Sequence, residues 1–333
     1  MSSSVGTGGP NIGGTSAAGT STPGPDISLT IASTESGSHH ATTGAGWRVI
    51  AAASFTVLAW ASAFVVIRFV GQSYSPGGLS LGRLAIGSVC LSVMMLISRS
   101  WVPMTRRDWA LTAMIGVLWF GVYNLSLNAG EQHIDAGTAA MLVQLAPILI
   151  GVLAGLLLGE GFPRMLVVGG LVAFAGTLII GIATSTGRVD VAGVLLVLLA
   201  AVVYAVAVVG QKVVLRGVPG LQVTFLACLI GTAACLPFLP ALLSDLASAP
   251  MSAGLGMLYL GVVPTAAAFV TWAYALTRSP AGRLGATTYA VPPIAILLGW
   301  VFLDEVPVPL AVLGGAISLV GVGLSRRRSK PVS

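Results

Sequence analysis

The chain has 333 residues, of which 56% are hydrophobic and only 8% are charged, and its formal net charge is +6. Soluble domains carry about 25% charged residues, so this composition excludes a water-exposed globule. An α-helix needs about 20 apolar residues to cross the hydrocarbon of a bilayer. The chain is therefore predicted to be an integral membrane protein.

The first 46 residues differ in composition from the rest of the chain. They are rich in Gly, Ser and Thr, contain three prolines and lack Lys and Arg. Such a segment buries too little apolar surface to offset its ordering entropy. It also has neither the basic nor the apolar region of a signal peptide. We expect residues 1–46 to form a disordered cytoplasmic tail.

From Trp47 onward, long apolar runs alternate with short breaks that contain charged residues, Pro or Gly. The runs predict an all-α polytopic membrane protein with ten transmembrane helices. The connections between them are too short to hold an extramembrane domain. The predicted helices cover residues 47–70, 76–98, 108–128, 135–159, 164–184, 191–213, 219–243, 253–276, 284–303 and 307–325.

The basic residues are distributed unevenly over the predicted loops. With the N-terminus in the cytoplasm, 13 of the 16 Lys and Arg residues lie on the cytoplasmic side, and only Arg68, Arg83 and Arg188 remain outside. Cytoplasmic loops are enriched in basic residues. Both termini are therefore predicted to be cytoplasmic, with the protein in the cell (plasma) membrane and a basic tail at residues 326–333.

A repeat with a period of 145 residues runs through the membrane region. Its identical pairs are Pro147/Pro292, Glu160/Glu305, Gly169/Gly314, Gly170/Gly315 and Gly176/Gly321. Each half, residues 47–186 and 187–325, then holds five helices. Two odd-numbered halves in one chain must lie in opposite orientations, and in such inverted repeats the substrate site lies at the repeat interface near the midplane.

Three prolines, Pro147, Pro292 and Pro293, fall near the centres of two predicted helices that are equivalent in the repeat. A proline lacks an N–H and frees the carbonyl four residues earlier, which is tolerated in a membrane where that carbonyl lines a cavity or finds another donor. Gln144 and Tyr289 are also repeat-equivalent. We expect both side chains to form the substrate site; the alternative is a packing kink in which Gln144 bonds to a neighbouring helix.

Other polar and aromatic residues are candidates for the same site. Asn124, Asn128 and Glu131 form one stripe on a predicted helix, which faces the helix bundle because polar groups facing lipid are costly. Trp60, Trp119 and Tyr204 lie near mid-membrane, where they either line the substrate path or pack. We expect the two membrane–water interfaces, where tryptophan is enriched, to contain Trp47, Trp101, Trp109 and Trp272.

Arg83 lies about two turns inside its predicted helix. A cation within the membrane is a functional candidate by default. Two alternatives are open from the sequence. Arg83 holds a substrate carboxylate, or it extends to the outer surface and pairs with Glu131 or Asp135.

These residues together resemble the EamA-type branch of the drug/metabolite transporter superfamily, over about residues 47–325. The resemblance rests on the run Trp60–Phe64, on Arg83, and on the segment from Pro147 through Leu158-Gly159-Glu160 to Gly176, with a second copy ending Leu303-Asp304-Glu305. The second copy has Asp304 where the family usually has Gly. The resemblance implies a ten-helix permease that moves small polar or zwitterionic metabolites, often outward.

The sequence contains no complete motif of an enzyme active site or of a metal site that would indicate another class of protein. The sequence Gly78-Leu79-Ser80-Leu81-Gly82 matches G-x-S-x-G, but it opens a transmembrane helix instead of following a strand. We therefore expect no enzyme activity, no cofactor and no metal. All ten carboxylates lie in the tail, in loops or at helix ends, which disfavours exchange of protons for polycations.

The sequence thus favours a transporter, in particular an exporter of a small polar metabolite such as an amino acid, working by alternating access. The expected partners are that substrate and membrane lipids, without nucleic acid, and a homodimer is left open. Two alternatives remain: a lipid-carrier flippase or membrane enzyme, and a non-transporting membrane receptor or assembly factor.

Overall fold

The computed structural model describes residues 38–134, 141–185, 190–303 and 306–327, apart from the side chains of residues 38–45, 68, 128, 131, 132 and 303. The chain divides into two units, Met1–Gly44 and Ala45–Ser333. Of the first unit only the start of a helix is described, inside the predicted tail. The second unit holds every helix that follows.

The described residues are helical, without a strand. Seven segments are long and apolar enough to cross a membrane, and two shorter apolar helices and one bent helix pair accompany them. The α-helices are α1 (Ser38–Val70), α2 (Pro76–Ser98), α3 (Arg106–Ile115), α4 (Tyr123–His133), α5 (Ala146–Leu157), α6 (Arg164–Thr184), α7 (Val191–Val214), α8 (Gly220–Ala234), α9 (Leu239–Ser248), α10 (Met251–Leu260), α11 (Ala268–Arg278), α12 (Ala281–Gly285), α13 (Val291–Leu303) and α14 (Pro309–Ser325). This is a polytopic membrane protein.

Local sequence explains several helix starts. Thr105 and Asp108 form a capping box at the start of α3, in which each side chain bonds to the other residue's backbone,. Ser75 caps α2, and the carboxylate of Asp245 from α9 accepts hydrogen bonds from its backbone N–H and its hydroxyl at 2.8 and 2.7 Å. Asp190 caps α7 by accepting from Ala192. These side chains satisfy backbone donors that a helix start leaves free.

The helix predicted at residues 219–243 is bent, not straight. Its two parts, α8 and α9, meet at an angle of 51° after Cys235. Pro237 and Pro240 follow directly, and because a proline provides no N–H and its ring clashes with the preceding turn, the regular helix ends there. A short 3₁₀ turn, Leu236–Phe238, connects the two parts.

Two π-helical segments lie at equivalent places in the repeat and were not predicted from the sequence. Gly116–Val122 connects α3 to α4, and Gly261–Ala267 connects α10 to α11. Their bounds are 145 residues apart at the start and at the end, which is the period found in the sequence. Pro264 lies inside the second segment. Since π-helical turns occur frequently at functional sites, both segments mark a candidate functional region.

The equivalent helices α6 and α14 pack face to face through glycines. A Cβ at Gly169 would overlap the backbone of Gly321 and Ser325, and a Cβ at Gly176 would overlap that of Gly314 and Ser318. As the numbers rise along α6 they fall along α14, so the two helices are antiparallel. Glycine allows this close approach of two backbones. Two of the three glycine pairs that carried the sequence repeat, Gly169/Gly314 and Gly176/Gly321, therefore form this close contact between equivalent helices.

Candidate functional site

A cavity of about 130 Å³ lies between helices from both halves of the chain. A cavity above about 10–15 Å³ can hold a water molecule, so this one has room for a small organic molecule. Its lining contains one charged side chain, Arg83, among the residues that the structure describes. The lining residues are Trp60, Ala63, Phe64, Ile67, Arg83, Leu84, Trp119, Phe120, Tyr123, Asn124, Leu127, Val143, Gln144, Tyr204, Thr265, Phe269, Thr288 and Val291.

Aromatic rings form a continuous wall of the cavity. The ring centroid of Trp119 lies 5.0 Å from that of Tyr204, 4.9 Å from that of Phe269 and 6.3 Å from that of Trp60. The indole N–H of Trp60 donates to the carbonyl of Pro264 at 3.2 Å, in the second π-helical segment. These ring pairs lie in the favourable range of aromatic contacts, and they give the cavity a rigid apolar side.

The position of Trp272 differs from the one expected from the sequence. The sequence analysis assigned it to an interfacial belt, but its side chain is 0% exposed and its ring centroid lies 5.1 Å from that of Trp60. Its N–H has no hydrogen-bond partner within the described residues. Trp272 supports the aromatic wall from behind. Position along the chain does not show which face of a helix is buried, and this face packs against Trp60 of α1.

Arg83 faces the cavity with its guanidinium held by a neighbour. Its Nε–H donates to the hydroxyl of Thr265 at 3.2 Å, and that hydroxyl donates to the carbonyl of Leu260 at 2.8 Å. No carboxylate of a described side chain lies within ion-pair distance of Arg83. The side chains of Glu131 and Asp135, its alternative partners from the sequence, lie outside the described residues. Thr265 thus orients a cation that lines the cavity.

Two amide side chains line the cavity, and their NH₂ groups donate hydrogen bonds to backbone carbonyls. Asn124 donates to the carbonyls of Trp119 and Phe120 at 3.3 and 2.9 Å, within the first π-helical segment. Gln144 donates to the carbonyl of Thr288 at 3.4 Å. The amide orientation follows from these bonds, so both side-chain oxygens are left as acceptors.

The prolines do not interrupt continuous helices as expected. Pro147 lies in the first turn of α5 after an irregular turn at residues 144–145, and Pro292 and Pro293 open α13 after a 3₁₀ turn, Ala286–Ala290. The first turn of a helix tolerates proline because its N–H groups have no intrahelical partner. The breaks expose backbone carbonyls toward the helix bundle, where Gln144 bonds to one of them.

Tyr289, which is equivalent to Gln144 in the repeat, does not line the cavity. Its ring is 1% exposed and packs near Phe174, with centroids 6.4 Å apart. The carbonyl of Tyr289, freed by Pro293, accepts a hydrogen bond from the hydroxyl of Ser318 on α14 at 2.8 Å. Tyr289 therefore belongs to the packing between α13, α6 and α14.

The structure brings together six of the eight side chains chosen from the sequence. The side chain of Asn128 lies outside the described residues, and Tyr289 is turned away. Sequence analysis missed Phe269, Thr265 and the side chain of Thr288, although the repeat contained a signal for these three residues. They lie 145 residues after Asn124, Phe120 and Val143, which line the same cavity.

A second group of polar contacts lies at one end of the bundle, outside the cavity. The carboxylate of Glu160 accepts from the backbone N–H groups of Ala281 and Gly282 at 2.7 and 3.2 Å. The ammonium of Lys212 donates to the carbonyls of Leu276 and, at 2.6 Å, Ser279. Both side chains thus hold the connection between α11 and α12 in place.

Comparison with known proteins identifies the class and then the family. The profile of the EamA-like transporter family matches residues 47–182 and again residues 191–327, which defines the class of the protein as a membrane transporter. The chain therefore belongs to the EamA-like transporter family. The resemblance stated from the sequence is confirmed.

Several known proteins are similar to this chain in sequence or in structure. A "Probable terminal-alkyne amino-acid exporter" of Streptantibioticus cattleyicolor is 39% identical over 275 residues, covering 82% of this chain and 92% of the relative. An "Uncharacterized transporter YdfC" of Bacillus subtilis is 31% identical over 263 residues, covering 79% and 86%. A crystal structure with a TM-score of 0.68 and 22% identity covers 84% of this chain and 96% of the other chain, and supports the fold.

Proposed function

We propose that this protein exports a small amino acid or a closely related polar metabolite across the cell membrane. The observation that carries the proposal is a cavity that combines Arg83, two oriented amides and an aromatic wall. A ligand site with an apolar body and a few convergent polar groups is typical of small-molecule binding. The 39% identical relative, named as an amino-acid exporter, agrees with this chemistry.

The proposed architecture is ten transmembrane helices in two inverted halves, residues 47–186 and 187–325, with both termini in the cytoplasm. The seven long spans, the bent pair and the two shorter apolar helices supply ten segments. The equivalent π-helical segments and the antiparallel packing of α6 on α14 support the inverted repeat. Cysteines introduced one at a time near Met1 and Ser333 should react with impermeant reagents only after the membrane is opened.

Transport is proposed to follow alternating access around the cavity. If the N-terminus is cytoplasmic, as proposed, Phe64, Ile67 and Leu127 lie toward the outer ends of their helices, and the contacts of Glu160 and Lys212 lie at the inner edge. This arrangement supports a state that is closed on the cytoplasmic side. The irregular turns before Pro147 and Pro292 provide points at which the helices can bend.

The test is flux through the purified protein in liposomes. Counterflow of radiolabelled neutral, acidic and basic amino acids and of nucleobases should show saturable uptake of at least one neutral amino acid, with the compound recovered unchanged. Recovery of a chemically altered compound would instead indicate a membrane enzyme. Uptake of none of them, by protein whose folding is verified, would reject the proposed function.

A further inference from the structure

Arg83 carries a charge that the described structure does not neutralise. The guanidinium has five N–H donors and remains protonated in proteins. One donor is used on Thr265. The one cation–ring contact of the described residues involves Arg278 and Tyr274, so Arg83 is not stacked on the aromatic wall either. A buried cation without a partner is costly, and an anionic ligand group in the cavity removes that cost.

The lining favours a carboxylate over a larger anion. Arg83 is the one charged residue among the described lining residues, so the site compensates a single negative charge. The planar guanidinium matches a carboxylate with two parallel hydrogen bonds. Thr265 fixes the plane of this group through Nε, which leaves the terminal nitrogens free to form such a pair.

The cavity that contains the cation of Arg83 also contains groups that attract a positive charge. The side-chain oxygens of Asn124 and Gln144 accept no hydrogen bond from the described residues, since their NH₂ groups are the parts bonded to the backbone. The faces of Trp60, Trp119 and Tyr204 carry the negative side of the ring quadrupole. Amide oxygens and aromatic faces both attract an ammonium group.

The repeat shows that these polar groups belong to one half of the site. The positions 145 residues after Arg83, Asn124 and Gln144 are Cys228, Phe269 and Tyr289. The first half therefore supplies the charged and amide groups, and the second half supplies an apolar surface through Phe269. A ligand bound between the halves must be polar on one side and apolar on the other.

We propose that the cavity binds a zwitterionic α-amino acid with an uncharged, apolar side chain. Its carboxylate forms a bidentate pair with Arg83, and its ammonium lies between the oxygens of Asn124 and Gln144. Its side chain contacts the wall of Trp119 and Phe269. This inference rests on the proposed function and adds the orientation of the substrate and the residue that recognises each of its groups.

The test uses matched ligands and matched variants. The probes are L-alanine, L-leucine and L-propargylglycine, each compared with its primary amide, which lacks the carboxylate, and with the acid that lacks the amino group. Binding to purified protein is followed by tryptophan fluorescence and by the ligand-induced rise in melting temperature. At least one free amino acid should bind the wild type at least about tenfold more tightly than either analogue.

Arg83→Gln should abolish the preference for the carboxylate, so that the free amino acid and its amide bind equally weakly. Arg83→Lys keeps the charge without the planar fork and should retain part of the preference. Arg278→Gln, at an exposed arginine outside the cavity, is the control and should bind as the wild type does. If Arg83→Gln does not fold, the ligand comparison on the wild type decides.

Three results would overturn the inference. Equal binding of amide and free amino acid to the wild type would remove the carboxylate pair, as would an unchanged preference in folded Arg83→Gln. Binding of the free amino acid that is at least about tenfold tighter to Glu131→Gln than to the wild type would show that Arg83 pairs with Glu131 in the wild type instead. In each case amino-acid flux in liposomes can persist, so the inference fails separately from the proposed function.

Discussion

The side-chain amide of Gln144 donates a hydrogen bond to the backbone carbonyl of Thr288 at 3.4 Å, across 144 residues of sequence. Pro292 has no N–H to donate to that carbonyl, which also accepts from the backbone N–H of Val291. The bond connects the two irregular turns that precede α5 and α13. It satisfies a buried carbonyl and at the same time orients Gln144 in the cavity.

Gln144→Leu should lower both stability and substrate affinity. The substitution removes one of two donors to the carbonyl of Thr288, which also accepts from the backbone N–H of Val291, so the expected loss is that of one hydrogen bond, about 0.5–1.5 kcal/mol. It also removes an acceptor from the cavity. Thermal unfolding in detergent and the KM of flux in liposomes measure the two effects. Gln222→Leu is the control, because Gln222 bonds to the backbone of Val102 outside the cavity. It should lose stability with an unchanged KM; an unchanged KM in Gln144→Leu would refute the role in the cavity.

Glycines one turn and a half apart on α6 should respond oppositely to alanine. Gly176→Ala places a methyl group against the backbone of Ser318 and should destabilise the protein by about 1–3 kcal/mol,. Gly170→Ala, where a Cβ meets nothing within 4 Å, should be neutral or stabilising by up to about 1 kcal/mol through helix propensity,. Melting temperatures of the two variants provide the measurement. Similar losses in both would contradict the packing of α6 on α14.

Trp119→Phe should change which amino acids are transported. Removing part of the indole enlarges the cavity beside Phe269 and should raise the ratio of kcat/KM for L-leucine to that for L-alanine, by about tenfold for a gain of one or two methylene groups of space. Trp272→Phe is the matched control, since Trp272 is fully buried behind Trp60 and does not line the cavity. A specificity change of equal size in both variants would indicate general loosening of the bundle.

Glu160→Ala should weaken the closure at one end of the bundle. The carboxylate accepts from the backbone N–H groups of Ala281 and Gly282, and hydrogen bonds to a charged group contribute about 1.5–3 kcal/mol,. Because this is the energy of a tenfold shift between two states, spin labels at the α11–α12 connection should show a more open population. Asp108→Ala is the control. It removes an exposed cap of α3 at Thr105 and should leave those distances as in the wild type.

Hydropathy and charge alone gave much of the helical organisation. Apolar runs of about 20 residues have few alternatives to a membrane span, so the predicted ends of the helices at 76–98 and 164–184 agree with α2 and α6. The repeat was visible because Pro147/Pro292 and the glycine pairs are spaced alike. The bend after Cys235 was also encoded locally, in Pro237 and Pro240, although the sequence analysis did not use that signal.

Which helix faces meet was decided by the tertiary structure. Hydropathy measures the average environment of a segment, whereas the direction of one side chain depends on packing against helices distant in sequence. Gln144 and Tyr289 have the same repeat position, yet only Gln144 lines the cavity, because the ring of Tyr289 packs near Phe174 of α6 instead. Trp272 was assigned to an interfacial belt, but it lies fully buried because its ring packs against Trp60 of α1.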